Sequence, residues 1–497
     1  MSSTNSQTPA VLADPGPLLD LAMVRDTSEG ITTPFQLELP GEVLHCQDIL
    51  RRLANNRIVA RAQWAGRPVL AKLFFGRKAE RDAARERTGV TLLQAAGVPT
   101  PALLADIALP PQGRVLLFDY LDQAVTLLPS NPGVDLKAMQ ATCTLLARLH
   151  HHGVRHSDLH LNNFLLAQDR VYAIDAGALR AARPFALLSR RESPQPLSPG
   201  ASRRDLADLL AQLPLSWDER MAALWSAYAE ARNWSAGKGR EAGWRRLVMR
   251  ARRKRIRRYQ RKSLRNCTEF QASRTFSSLL TLRRAYAGPD LEQLLRQPDV
   301  ALRQGRLLKA GNTATLAEVE ADGRRYVIKR YNIKSMRHWL SRCWRPSRAL
   351  RSWHNALQLE MLGIPTATPV ALLERRFGPL RGRAYLLTEA LPGPDLLHAV
   401  QGPRYASAEK SVFLQQAIGL LTRLAAAGLV HGDTKATNFL LAADGVKLID
   451  LDSLNWPRAR WRQRRGIARD QARFLHNWLD QASVLAEVRQ AFNTDDA

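Results

Sequence analysis

The chain is poor in cysteine: Cys46, Cys143, Cys267 and Cys343 are its only four in 497 residues. No two stand at a metal-ligand or disulfide-framework spacing, which argues against a zinc module or a stapled secreted scaffold and fits a reducing compartment. Long apolar runs are missing too. No stretch reaches 18 uninterrupted apolar residues, and the run Ala417-Ile-Gly-Leu-Leu is soon broken by Arg423, so no membrane-spanning helix is expected. The N-terminus has no basic segment followed by an apolar one, and no secretory signal is expected. Acidic residues are scarce: 45 Asp and Glu face 73 Lys and Arg, leaving a net charge of +28 and a pI near 10.9. That imbalance points to a polyanionic partner, whether nucleic acid, an anionic membrane surface or a phosphorylated substrate.

What is present is one motif written twice. The first copy runs His156-Ser-Asp158, then Asn163-Phe-Leu-Leu, then Ala-Ile-Asp175-Ala-Gly177. The second runs His431-Gly-Asp433, then Asn438-Phe-Leu-Leu, then Leu-Ile-Asp450-Leu-Asp452. In both, Asp is followed after five residues by Asn and after twelve more by Asp, and the copies stand 275 positions apart. A constant offset is the mark of duplicated phosphoryl-transfer machinery. In that chemistry Asp158 and Asp433 accept the proton of, or orient, the attacking hydroxyl. Asn163 with Asp175, and Asn438 with Asp450, hold Mg²⁺ against the phosphates of ATP. The apolar stretches flanking each Asn–Asp pair read as a short hairpin that sets the two ligands side by side.

The surroundings repeat in the same order. Residues 1–35 are rich in Ser, Thr, Pro and Gly and read as a flexible tail. Residues 36–235 form a first domain: two strands around a turn between Arg57 and Phe75, a helix from Ala79 to Ala96 ended by Gly97 and Pro99, a strand near Leu116, a helix from Leu136 to His151, then the motif, with a continuous helical stretch from Ser202 to Trp234. Residues 295–497 repeat it, with Tyr326-Val-Ile-Lys329 matching the strand around Lys72 and Gly363-Ile-Pro-Thr366 matching Gly97-Val-Pro-Thr100. The expected fold class is α+β, two tandem bilobal units with strand-rich fronts and helix-rich backs. Between them, 236–294 is an inter-domain segment whose most basic part, 244–265, patterns as an amphipathic helix. It suits an anionic membrane surface or anionic substrate, a solvated linker, or nucleic acid, the last being the least favoured.

These residues resemble the lipopolysaccharide kinases of the Kdo/WaaP type, relatives of eukaryotic protein kinases that phosphorylate sugars of the lipopolysaccharide inner core. The resemblance implies a protein-kinase-like fold in both domains, ATP and Mg²⁺ as cofactors, a lipopolysaccharide core precursor as partner, a sugar hydroxyl (on heptose) as acceptor, and a cytoplasmic enzyme peripheral on the inner face of the inner membrane. It also implies roles. Lys72 and Lys329 grip the α- and β-phosphates. Glu86, eleven residues before Gly97, pairs with Lys72, whereas eleven before Gly363 stands Ser352, leaving Glu360 as a substitute only if the register shifts. Lys309-Ala-Gly311-Asn-Thr is the better phosphate loop, since 53–57 of the first copy, Leu-Ala-Asn-Asn-Arg, holds no glycine. Lys435 is set to meet γ-phosphate charge where the first copy has His160. Asp452 adds a carboxylate beside Asp450. His156 and His431 brace their loops, and His150, His151 and His152 close a helix before Gly153. Two other classes remain: a scaffold containing pseudokinase units, and a Ser/Thr protein kinase, against which stands the lack of an Ala-Pro-Glu segment after either metal Asp.

Overall fold

The computed structural model describes residues 16–20, 23–24, 31–53, 56–110, 112–181, 195–234, 241–333 and 335–494. They divide into two compact units: one holds everything described up to Gln212 together with Glu219–Ala251, the other Leu213–Asp218 and Arg252 onward. No helix among the described residues is long and apolar enough to cross a membrane.

The first unit opens with a seven-stranded sheet. Its centre is Arg67–Phe75, antiparallel to Arg57–Trp64 on one side and Gly113–Asp119 on the other. Alternation decides what each strand face does. Val69, Ala71, Leu73 and Phe75 point into an apolar core with Phe35, Leu37, Leu44 and Ile58, while Lys72 and Phe74 point to the opposite face. The tail expected over 1–35 is in part structured: Leu18–Leu19 adds a parallel strand beside Gln36 and Leu37, and Val24 and Ile31 are buried in the same core. Apolar side chains at those positions give a low-complexity stretch something to bury.

The second unit has its own seven-stranded sheet, in the order Phe270–Arg274, Ser278–Arg283, Pro369–Phe377, Leu380–Glu389, Arg324–Tyr331, Ala314–Ala321, Arg306–Ala310. Its first two strands lie within 236–294, so that segment is not all connector. Leu279 and Leu282 are buried in the sheet's cores, which is why this stretch folds as part of the second unit.

The repeated Gly-Val/Ile-Pro-Thr motif has the same structural task in both units. Gly97 (φ +62°) and Gly363 (φ +70°) end helices Ala79–Ala95 and Arg348–Leu362 in the left-handed conformation. The next amide closes each cap: Val98 N donates to Leu93 O and Ile364 N to Leu359 O, both at 2.9 Å. One residue further, the Pro99 carbonyl accepts from Ala173 N (2.8 Å) and the Pro365 carbonyl from Leu448 N (3.1 Å). Proline offers no donor here but its carbonyl remains available. The motif therefore ties the end of the helix to the strand that leads into Asp175 or Asp450.

The stretch 202–234 is not one helix. Pro199–Leu210 and Met221–Ala231 are separated by a turn at Leu213–Pro214 and a 3₁₀ segment over Leu215–Arg220, as a proline that cannot continue a helix requires. The basic helix does form, over Glu241–Lys262. Its apolar stripe is already occupied: Trp244 stacks at 4.8 Å on Trp225, Ile256 lies in the core of the second unit, and buried Arg252 is paired with Asp218 (2.6 Å). That stripe has no face left to lay into a bilayer, and only the exposed Lys and Arg side chains of the helix remain for an anionic surface.

Gly89 carries helix Ala79–Ala95 against the turn after Asp175, where a Cβ would lie 1.9 Å from the Ala176 carbonyl oxygen. Gly89→Ala should destabilise the first unit by about 1–3 kcal/mol through overpacking. Gly243→Ala, on an open helix surface, should stabilise by about 0.5–1 kcal/mol. Urea unfolding of both variants measures the contrast, and a neutral Gly89→Ala would contradict this packing.

Candidate active site

In the first unit Lys72, on the central strand, and Glu86, on helix Ala79–Ala95, form a buried ion pair. The second Glu86 oxygen accepts from the Gly177 amide at 3.1 Å, so one carboxylate joins the strand lysine to the turn bearing Asp175. A side chain on Gly177 would collide with that oxygen. Asp175 itself sits at φ +57°, as does Asp450 in the second unit, a conformation uncommon for any residue but glycine. Arg57 approaches Asp175 at 3.8 Å from the first phosphate-loop candidate. Of that loop, Ala54 and Asn55 lie outside the described residues. Asp158 is exposed beside His160 Nε2 at 3.3 Å, and Asn163 donates to its carbonyl at 2.7 Å.

The second unit builds the same place with different charges. Lys329, on Arg324–Tyr331, donates directly to Asp450 at 2.6 Å. Burial works against the Lys329 ammonium, but Tyr331 and Asp450 outweigh it and its pKa is raised. Burial also opposes ionisation of Asp450, yet the charge and hydrogen bond of Lys329, with a hydrogen bond involving Asp452, hold its carboxyl below the usual range. Ser352, where the first unit has Glu86, donates or accepts at 2.9 Å with Tyr331 OH. Glu360 does not substitute: it is ion-paired with Arg283.

The link from helix to metal turn is instead made by Arg348, one turn before Ser352. Its guanidinium pairs with Asp452, with Nε at 2.6 Å, donates to the Thr313 carbonyl of the phosphate-loop candidate at 3.3 Å, and lies over the Tyr331 ring at 5.1 Å. In the first unit the helix offers a carboxylate to the metal turn; in the second it offers a guanidinium to a carboxylate on that turn. Arg348 has two readable signs in sequence: a serine where the pairing glutamate is due, and an additional carboxylate, Asp452, in need of a cation. Gly311 differs from expectation in detail. Its amide turns inward to the Ala314 carbonyl (3.1 Å), and Asn332 donates to its own carbonyl (2.9 Å), so it permits a tight turn and presents no free N–H to phosphate.

Around Asp433 the loop is held from behind. Asp433 N donates to His431 Nδ1 at 3.3 Å, and Asn438 donates to the Asp433 carbonyl at 2.8 Å. Burial pushes the His431 pKa down, and likewise that of His156, which meets Asp158 N at 3.2 Å. Both rings brace as neutral groups. Asp470, on helix Arg460–His476, accepts from His431 N (2.6 Å) and Gly432 N (2.9 Å), while Thr434 donates to its carbonyl (2.6 Å). From the same helix Arg473 reaches Asp433 at 2.9 Å, with Lys435 at 4.0 Å. Asp470 and Arg473 escape notice in sequence because they sit in an arginine-rich run that reads as a solvated face. In the first unit the acid behind the loop, Asp205, takes the Arg155 side chain (2.7 Å) and not the loop amides. His152 Nδ1 meets the Arg148 carbonyl (3.0 Å), as a helix end requires.

For a metal, Asp450 and Asn438 are hard oxygen donors of the kind Mg²⁺ takes with phosphate. The Asn438 amide nitrogen is committed to the Asp433 carbonyl, which leaves its oxygen as the ligating end. The residues present therefore fit the ion.

Arg348→Ala should destabilise the second unit by about 1–3 kcal/mol, since it leaves the buried Asp452 carboxylate unpaired, and Asp452→Asn by about 0.5–1.5 kcal/mol, since its partner Arg348 is only half-buried. The double variant should cost less than the sum by about 0.5–3 kcal/mol. Urea unfolding of the four proteins of the cycle tests the link, and strict additivity would remove it.

Comparison with known proteins bears on the second copy. Residues 293–490 match the family "Lipopolysaccharide kinase (Kdo/WaaP) family". A 77-residue stretch, 14% of this chain, is 40% identical to the "Probable serine/threonine-protein kinase PkwA" of Thermomonospora curvata, and it spans 10% of that protein's length. The members of the matched family are phosphotransferases with a hydroxyl acceptor. Residues 293–490, which hold Lys329, Asp433, Asn438 and Asp450, are thus similar to the lipopolysaccharide kinase (Kdo/WaaP) family.

Proposed function

We propose that the protein is an ATP-dependent kinase of the lipopolysaccharide core, built from two tandem bilobal kinase-like units, in which the second unit transfers the γ-phosphate to a sugar hydroxyl, on heptose. The observation that carries the reading is the contact between Lys329 and Asp450. A phosphate-gripping cation and a metal-holding carboxylate, 121 residues apart in the chain, meet at 2.6 Å.

The geometry supports the following roles. Lys329 holds the α- and β-phosphates. Asp450 and Asn438 are the ligands for Mg²⁺, which when bound neutralises the phosphate oxygens. Asp433, held by Arg473, takes the proton of the acceptor hydroxyl as its oxygen bonds to the γ-phosphorus and the bond to the leaving ADP oxygen breaks. Lys435 stands close enough to meet charge on the transferring group. The acceptor is a lipid-linked precursor at the cytoplasmic face of the inner membrane, and the exposed cationic side of helix Glu241–Lys262 favours a place near anionic lipid.

A second reading applies to the first unit alone. Asp158 has no arginine against it among the described residues, and Arg57 stands close to Asp175. These features favour a unit that holds nucleotide, through Lys72, Glu86, Asn163 and Asp175, and transfers slowly or not at all.

Transfer of labelled phosphate from ATP to purified inner-core acceptor tests both statements. Asp433→Asn should lower the rate by about 10²–10⁴-fold. Asp158→Asn should lower it much less. Wild-type transfer by both single variants and by the double variant would overturn the kinase reading, and a larger loss from Asp158→Asn would reverse the assignment of units.

A further inference from the structure

Beside the catalytic loop of the second unit lies a cavity of about 660 Å³, lined by Val430, Arg458, Trp461, Arg462, Arg465 and Arg469 among others, with no acidic residue on its wall. We propose that this cavity is the acceptor's docking subsite and that it takes an anionic saccharide, with a carboxylate or phosphate on Arg465 and Arg469 and a sugar ring on Trp461. The proposal rests on the kinase reading above and assigns the residues that would hold its acceptor.

Three observations carry it. The first is direction. Arg462, Arg465, Arg469 and Arg473 recur along helix Arg460–His476 at steps of three, four and four, so they share one face. At a rise of 1.5 Å per residue the row is roughly 16 Å long. Its last member touches Asp433 at 2.9 Å. An anion lying on Arg465 or Arg469 is thus led along a row of guanidiniums toward the group that accepts the hydroxyl proton.

The second is rigidity. The helix is locked to the catalytic loop at two successive turns of one face. Asp470 holds the amides of His431 and Gly432, and Gly466 lies so close to Val430 that a Cβ there would come within 2.5 Å of its side chain. The arginine row cannot shift relative to Asp433 without breaking those contacts, so it is a fixed recognition surface.

The third is composition. Arg458, Arg462, Arg465 and Arg469 are exposed, and among the described residues none of the four forms a salt bridge with a carboxylate. Holding several guanidiniums together without a paired counter-charge opposes folding and is offset when an anion binds, where the planar fork suits carboxylate and phosphate. Trp461, 61% exposed, gives the same cavity an indole face. An indole contributes little to a bare phosphate. It does pack on the C–H face of a sugar ring, which is why a saccharide fits the lining better than an inorganic anion or a flat lipid surface.

The test uses the full chain and two probes: deacylated inner-core oligosaccharide, and the same material after dephosphorylation and carboxyl reduction. Binding is followed by calorimetry and transfer by the labelled-phosphate assay. Arg465→Ala with Arg469→Ala should weaken oligosaccharide binding and raise its KM by roughly 10–100-fold. KM for ATP should stay unchanged, and the unfolding midpoint should hold or rise as like-charge repulsion is relieved. Trp461→Ala should weaken binding of both probes by several-fold. Arg460→Ala with Arg464→Ala removes equal charge from residues off the cavity wall and should alter neither value by more than about twofold. Equal losses from the two arginine pairs would reduce the row to general surface charge and overturn the proposal. So would equal binding of native and neutralised oligosaccharide. Loss of binding to phosphatidylglycerol vesicles, with the soluble oligosaccharide unaffected, would assign the arginines to lipid headgroups and also overturn it. Calorimetry separates this idea from the one it rests on. Oligosaccharide bound through Arg465 and Arg469 but never phosphorylated defeats the kinase reading alone, and normal turnover by the Arg465, Arg469 variant defeats the subsite alone.

Discussion

The charged link between a long helix and the turn carrying a metal-type Asp is the constraint on which each unit depends. The turn holds Asp175 or Asp450 at φ +57°, away from where a non-glycine backbone settles unaided. Something must fix it there and bring it to the strand lysine. In the first unit Glu86 does this, with one oxygen on Lys72 and the other on the Gly177 amide. In the second, Arg348 does it with the opposite sign, through Asp452 and the Thr313 carbonyl. Once the helix supplies a cation, Lys329 has no carboxylate on the helix and turns to Asp450 itself. The exchange of Glu for Ser at 352 is thus one part of a rearrangement that keeps the turn tethered while the sign of the tether is inverted.

A second constraint works from the far side of the catalytic loop. Asp470 is buried in the midst of a strongly basic helix, where burial raises its pKa against the two loop amides that favour its charge. It holds the loop by its backbone, and Arg473 on the same helix then reaches the Asp433 side chain. In the first unit Asp205 is occupied with Arg155, and Asp158 stands more exposed. Holding a carboxylate in one place is what separates a positioned general base from a surface carboxylate.

Much of this was legible in the sequence, and the reasons differ by feature. The paired Asp–Asn–Asp spacing is local and survives duplication, so both loops and their hairpins follow from counting. Gly97 and Gly363 could be read as helix ends because a left-handed cap selects glycine. The Lys72–Glu86 pair follows from the kinase resemblance together with the place of Glu86 eleven residues before Gly97. Other features are long-range and leave weaker marks. The strands Phe270–Arg274 and Ser278–Arg283 read as connector because the neighbouring basic run dominates composition; what assigns them is the pairing of Ser278–Arg283 with Pro369–Phe377, nearly a hundred residues on, and of Phe270–Arg274 with Ser278–Arg283. The substitution of Arg348 for Glu360 as the tether needed knowledge of which helix face meets the turn. Gly311 was read by type, as a donor-presenting glycine, whereas its amide is closed onto Ala314.

The same limit applies to charge. A net charge of +28 draws attention to the densest run, 244–265, and composition says nothing about which arginines are already committed. Folding resolves them. Arg252 is buried on Asp218, and the apolar stripe of its helix is consumed in packing. The arginines of helix Arg460–His476 are fewer, yet they line a concavity beside the catalytic loop and end on Asp433. For recognition of an anion, where a guanidinium is held matters more than how many surround it, because a fixed fork loses less freedom on binding than a mobile one. By that argument the arginines fixed beside the second catalytic loop are better suited to selective recognition than those of the basic helix.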